Sequence, residues 1–218
     1  MPRKTFHEEL DELQNDVLKM GEKVEIAVNK SLDALLTRNK DLAEEVVKED
    51  DVIDEMHMSI EERSLHMLAR QQPVAKDLRL LSSILKIGLH LERMGDYAFN
   101  IAKIVRRLAG GTESKEILDI FNNMASTTRE VVAGSVKVFK DQDLKLAHTL
   151  PEIDVAIDDD FKKLIRTLSK CLSDETCDVD WSTAMILASR NIERLADHAV
   201  DIGEQVIYLI TGEMEELD

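Results

Sequence analysis

Few residues in this sequence break or cross-link a chain: three prolines, eight glycines and two cysteines occur in 218 residues. That scarcity excludes the turn-rich connections of an all-β domain and leaves room for long helices. Aromatic residues are 4% of the chain, too few for a core built from pleated strands, which draws on aromatic and β-branched side chains. No apolar run approaches the roughly 20 residues needed to span a bilayer, so direct membrane insertion is not expected. Met1 to Glu9 lack the apolar centre of a signal peptide. Positive charge is also short. Lys and Arg number 28 against 44 Asp and Glu, a net charge of −16. An acidic surface disfavours nucleic acid as a partner and docking by charge on an anionic membrane. These absences predict a cytoplasmic protein. Cys171 and Cys177 stand in a polar stretch with Ser173, Asp174 and Asp178. A lone pair is no disulfide framework, and they read as free thiols in a reducing compartment.

What the sequence does contain is a repeat. Leu91-Glu92-Arg93-Met94-Gly95-Asp96-Tyr97-Ala98 recurs as Ile192-Glu193-Arg194-Leu195-Ala196-Asp197-His198-Ala199, and Asn100-Ile101 recurs as Asp201-Ile202. Ala43 to Asp50 and Ile53-Asp54 pair with Ala147 to Asp154 and Ile157-Asp158. The offset changes by a few residues between these blocks, as one loop of different length would cause. Residues 1–110 and 111–218 are therefore expected to be two copies of one unit.

Each copy reads as three helices. Leu10, Leu13, Val17, Met20, Val24, Ala27, Ser31 and Ala34 alternate steps of three and four, which places them on one face of a helix over about 6–36. Asn39-Lys40-Asp41 supplies a turn and a cap. The second helix is expected over about 42–69, ended by Gln71-Gln72-Pro73, with Pro73 suited to the first turn of the third, over about 74–108. Gly110-Gly111 marks the end of the first copy. The second copy follows over about 114–140, 144–172 and 181–211. The expected fold is all-α: two tandem three-helix antiparallel bundles related by pseudo-twofold symmetry. Small residues on the third helices (Gly88, Gly95, Ala98 and Ala102; Ser189, Ala196, Ala199 and Gly203) suit close packing within each bundle. Met56, Met58 and Met67 read as core filler, and Trp181 as the anchor that begins the last helix.

The chemistry lies in carboxylates. At about 100° per residue, Glu92, Asp96 and Asn100 form a row on the polar face of the third helix, and Glu193, Asp197 and Asp201 repeat it. Carboxylates four residues apart crowd each other, at a cost of a few tenths of a kcal/mol. On the second helix Val46, Asp50, Ile53, His57 and Ile60 follow steps of three and four, so Asp50 falls within the apolar stripe with Asp54 at its edge. Leu150, Asp154, Ile157, Phe161 and Leu164 do the same, with Asp158 at the edge. A carboxylate turned toward a bundle interior needs a proton, a basic partner or a cation. Clustered carboxylates on adjacent helices are hard ligands for Mg²⁺, Mn²⁺, Ca²⁺ or iron. Arg79, Arg93, Arg190 and Arg194 are available to neutralise the same acids in a purely structural network. A ferritin-like di-iron site needs Glu-x-x-His, and none of the six histidines has Glu three residues before it. No glycine-rich phosphate loop, Ser-His-Asp set or Cys-His zinc pattern is present. No organic cofactor and no catalytic residue is therefore expected.

Gln72-Pro73-Val74-Ala75-Lys76-Asp77-Leu78-Arg79, Leu91 to Ala102, and Asn191 to Ala199 with Glu204 give the chain a resemblance to the PhoU family of phosphate-uptake regulators. It covers almost the whole chain. The resemblance implies two three-helix bundles and a non-enzymatic regulator that represses phosphate uptake and starvation signalling when phosphate is plentiful. Its implied partners are the ATPase subunit of a phosphate ABC transporter and a membrane sensor kinase, with a homodimer as the expected assembly. Some members hold multinuclear metal through Glu/Asp-x-x-x-Asp motifs, matched here by Asp50 with Asp54, Glu92 with Asp96, Asp154 with Asp158, and Glu193 with Asp197. A divalent or trivalent ion (iron, Mg, Mn, Zn or Ca) is the expected ligand, with Asn100 and Asp201 extending the two sets. Asp201 departs from the Asn that similar sequences carry, adding charge to the second site. The sequence leaves two other readings open: a metal-storage or metal-dependent enzyme, and a structural helical scaffold.

Overall fold

The computed structural model describes residues 3–108 and 114–217. Among the described residues there are six long helices and one single-turn helix: α1 (Arg3–Thr37), α2 (Lys40–Gln71), α3 (Ala75–Arg107), α4 (Lys115–Asp141), α5 (Leu144–Ala147), α6 (Leu150–Ser173) and α7 (Val179–Thr211). The Gly110-Gly111 stop and the division at 110/111 lie outside the described residues. Helices α1 to α3 pack together as one antiparallel bundle, and α4 to α7 as the other.

The apolar spacing carries each bundle. All eight residues of the predicted α1 seam, from Leu10 to Ala34, are buried. On α2 the stripe Val46, Ile53, Ile60 and Met67 is buried. Met56 packs against this core, whereas Met58 is 59% exposed and fills no part of it. Trp181 is buried in the first turn of α7, among Leu35, Leu36, Ile117 and Met185.

Local signals set the helix ends. The Asn39 side chain accepts hydrogen bonds from the backbone N–H groups of Asp41 (3.1 Å) and Leu42 (3.0 Å) and so caps α2. Asp143 caps α5, and Asp178 caps α7 by accepting from the Trp181 N–H at 2.8 Å. Pro73 precedes the Val74 cap of α3 and does not enter its first turn. The continuous helix expected over 144–172 is broken at His148-Thr149. Pro151 explains the break, because its nitrogen cannot donate to the carbonyl four residues back, at Ala147, and its ring would clash there. Helix α5 stops at Ala147 and α6 restarts with Pro151 in its first turn.

The expectation of free thiols is corrected: Cys171 and Cys177 are joined by a disulfide, with Cα atoms 5.4 Å apart. Glu175 takes a left-handed conformation (φ 53°), reversing the chain after α6. Thr176 donates its N–H to the Cys171 carbonyl at 3.0 Å and its hydroxyl at 3.1 Å. This local turn brings the sulfurs together without help from a wider framework.

The two bundles share one core. Helices α3 and α7 form the most extensive pairing in the molecule, supported by α1 against α4. Ser83 donates its hydroxyl to the Gln205 carbonyl across α3–α7 at 3.2 Å, and Arg129 of α4 pairs with Asp33 of α1 at 2.5 Å. The glycines of the third helices serve their own bundles, as the sequence suggests. Gly88 lies against His57 and Ile60, Gly95 against Ile53, and Gly203 against Leu150 and the Ala147 carbonyl.

Candidate metal centres

Antiparallel packing of α2 on α3 sets Asp50 and Asp54 opposite Glu92 and Asp96. One oxygen each of Asp54, Glu92 and Asp96 lies within 4.8 Å of the others. Asp50 leans in from the stripe. Burial, followed by the charges of Asp54, Asp96, Asp51 and Glu92, pushes its carboxyl up to about 6. Glu92 is also raised, first by burial and then by Asp96, with Arg93 opposing. Arg93 reaches Asp96 at 3.0 Å and Glu92 at 3.4 Å, so the structural network of arginines is realised in part. Asn100 is exposed farther along α3.

Helices α6 and α7 set Asp154, Asp158, Glu193 and Asp197 at the matching positions and bury them more deeply, but do not bring three of their oxygens within 4.8 Å of one another. Asp154 is pushed up to about 7 by burial and then by Asp197, Asp158 and Glu193. Glu193 is 9% exposed and raised by burial and Asp197. Asp197, at the exposed edge, is raised by the surrounding protein and by Asp158. Arg190 pairs with Glu193, lying over the Phe161 ring with its guanidinium 6.0 Å from the centroid. Lys162 approaches Asp158 at 3.4 Å. Arg79 instead turns to the Leu209 carbonyl, at 3.4 Å.

One feature separates these clusters from an ordinary acidic face. Asp154 Oδ1 and Glu193 Oε2 are buried and accept no hydrogen bond; Glu92 Oε2 is also buried without a hydrogen bond but faces the Arg93 Nε at 3.4 Å. A buried carboxylate oxygen without a donor is costly until a proton or cation reaches it. All the donors are carboxylate oxygens, the set that hard divalent and trivalent cations take. The residues present therefore fit the expected metal.

Asp201 goes elsewhere. Its carboxylate accepts from His198 at 3.0 Å and lies 3.2 Å from His90 of α3. Burial alone would raise Asp201, but the hydrogen bonds from His198 and His90 outweigh it and hold the group far below the usual carboxylate range. Sequence reading did not pair His90 with His198, because no local spacing links residues on different repeats. The His198–Asp201 step of three was the available signal.

The family model described as "PhoU domain" matches twice, over residues 17–105 and 121–206. The chain is 32% identical to the "Phosphate-specific transport system accessory protein PhoU homolog" of Clostridium acetobutylicum, covering 100% of both chains. It is 39% identical to the Aquifex aeolicus protein of the same description, over 94% of this chain and 93% of that one. The crystal structure of PhoU from Pseudomonas aeruginosa superposes with a TM-score of 0.90 at 34% identity, covering 95% of this chain and 100% of that one. The phosphate transport system regulatory protein PhoU from Streptococcus pneumoniae superposes with a TM-score of 0.89 at 28% identity, over 97% and 100%.

Proposed function

This chain belongs to the PhoU family, and from that premise we propose that it is a non-enzymatic accessory regulator of a phosphate-specific transport system. It represses phosphate uptake and phosphate-starvation signalling when phosphate is plentiful. Its partners are the transporter's ATPase subunit and a membrane sensor kinase, met by protein contact in the cytoplasm, and its assembly is a homodimer. The names of relatives matched along nearly their whole length, as accessory proteins of phosphate transport, support this reading.

The acidic clusters give the regulator its ligand. Asp50, Asp54, Glu92 and Asp96 hold metal in one unit, and Asp154, Asp158, Glu193 and Asp197 in the other. The observation that carries this is the set of buried carboxylate oxygens that accept no hydrogen bond: Asp154 Oδ1 and Glu193 Oε2 in the second unit and, beside the Arg93 guanidinium, Glu92 Oε2 in the first. Bound metal would supply positive charge on a surface that is otherwise strongly acidic, able to attract phosphate or a partner's carboxylate. The chain's residues provide the rest: Asp50 and Asp154 close each site from the apolar side, and Arg93 and Arg190 hold the neighbouring glutamates in place.

Elemental analysis of protein purified without chelators tests the metal. Asp96→Ala and Asp197→Ala should each empty the site they belong to, and an unchanged metal-to-protein ratio in both variants would refute it. Radiolabelled phosphate uptake tests the regulation. Deletion should raise uptake under phosphate excess only in cells with the transporter; an identical phenotype without the transporter would reject this role.

A further inference from the structure

His90, His198 and Asp201 lie outside the repeated carboxylates. His90 comes from α3 of the first unit, and His198 and Asp201 from α7 of the second. His90 Nδ1 and His198 Nδ1 are 3.1 Å apart, His198 Nδ1 and Asp201 Oδ2 are 3.0 Å apart, and His90 Nδ1 and Asp201 Oδ2 are 3.2 Å apart. The three atoms form a nearly equilateral triangle.

Protons satisfy such a triangle poorly. If both imidazoles carry a proton on Nδ1, both can donate to Asp201, but two N–H groups then face each other across 3.1 Å. If one Nδ1 is bare, one contact to Asp201 becomes a meeting of two lone pairs. A cation centred over the triangle removes the conflict by taking one lone pair from each atom. Donors about 2.0–2.2 Å from a zinc-sized ion stand about 2.8–3.1 Å from one another at octahedral angles and about 3.3–3.6 Å at tetrahedral ones. The observed separations fall within this span. Two imidazoles and one carboxylate form a set for a borderline divalent cation with coordination positions left open.

The surroundings hold and expose the set. Tyr97 stacks on His198, with centroids 5.7 Å apart and planes 17° from parallel, which fixes the ring. The side chains of His90, His198 and Asp201 are 18%, 23% and 37% exposed, so an ion can enter from solvent. The repeat offers no second copy: the matching positions are Asn191, Tyr97 and Asn100. We propose that His90, His198 and Asp201 form a separate site for a zinc-class divalent cation, which ties the two units together across α3 and α7. Asp201 is then a ligand of this site and no longer an extra charge on the acidic cluster.

Cobalt(II) titration of the metal-stripped full-length chain, in excess Mg²⁺ to occupy the all-oxygen clusters, tests this. One equivalent of Co²⁺ should bind with visible bands of nitrogen ligation, and Zn²⁺ should displace it. His90→Gln and Asp201→Asn should each weaken it by at least about 100-fold, since loss of a supporting contact alone costs 10–100-fold. Asp201→Asn is nearly isosteric and installs the residue of the other copy, so it keeps the fold if His90→Gln does not. A chain carrying Asp54→Asn and Asp158→Asn should retain this equivalent, which separates failure here from failure of the acidic clusters. A wild-type chain with no Mg²⁺-resistant equivalent, or variants that bind as wild type, would show an ion-paired cluster without metal and overturn the proposal.

Discussion

A carboxylate removed from water and given no donor can gain a proton or a cation, and Asp50 and Asp154 sit at that choice. Their folded values of about 6 and about 7 stand above the ordinary aspartate value of 3.8. The native state therefore holds more protons than the unfolded state between about pH 4 and 7. These groups contribute stability that is full below the unfolded value and lost as pH rises through 6 and 7. Metal-free protein should accordingly lose urea stability between about pH 4 and 7, and a divalent cation should restore it at pH 8. A flat profile for both forms would count against the assignment. Asp154→Asn should stabilise the metal-free protein at pH 8, on the order of 1 kcal/mol after solvent screening, and reduce the gain from metal. The inward lean of both aspartates was legible, because each occupies a step of an apolar stripe. The pairing of His90 with Asp201 was not, since it depends on how two units meet.

At the scale of an element, helix existence followed from apolar periodicity, and the errors fell where one residue overrides it. Pro151 is the clearest case: a stripe read as continuous over 144–172 says nothing about a missing N–H. The disulfide was missed for a related reason, since a turn of left-handed Glu175, and not the count of cysteines, decides the approach of Cys171 and Cys177. The intact protein should show no free thiol by thiol titration and two after reduction. Cys171→Ser should lower stability by about 2 kcal/mol, the chain-entropy value for so short a loop, read by urea denaturation. Gln142 ends α4 in the left-handed region (φ 50°), where a Cβ is unfavourable. Gln142→Gly should raise stability by about 1 kcal/mol in the same assay.

The whole molecule is a fusion of two bundles, not two beads on a linker. The repeat was visible in the sequence, but the surface joining its copies was not, because a face packed on the partner unit carries the same apolar signal as one packed within the bundle. Unfolding should reflect the fusion. Trp181 is the single tryptophan and belongs to the second unit, while far-UV circular dichroism samples all helices. Because Trp181 also lies against Leu35 and Leu36 of the first unit, the two probes should give superimposable urea curves; an earlier fluorescence transition would mean that the junction of the units opens before the helices melt.

The stacking of Tyr97 on His198 has a consequence for what this architecture permits. These are matching positions of the repeat, so the contact is one place in the unit touching itself across the pseudo-twofold axis. An assembly of two identical units would be forced to set tyrosine on tyrosine or histidine on histidine there, and to offer asparagine or aspartate on both sides where Asn100 and Asp201 now differ. Encoding both units in one chain lifts that obligation. Each half of the axis is free to diverge, and a donor set drawn unequally from the two units, His90 from one and His198 with Asp201 from the other, arises once where they meet.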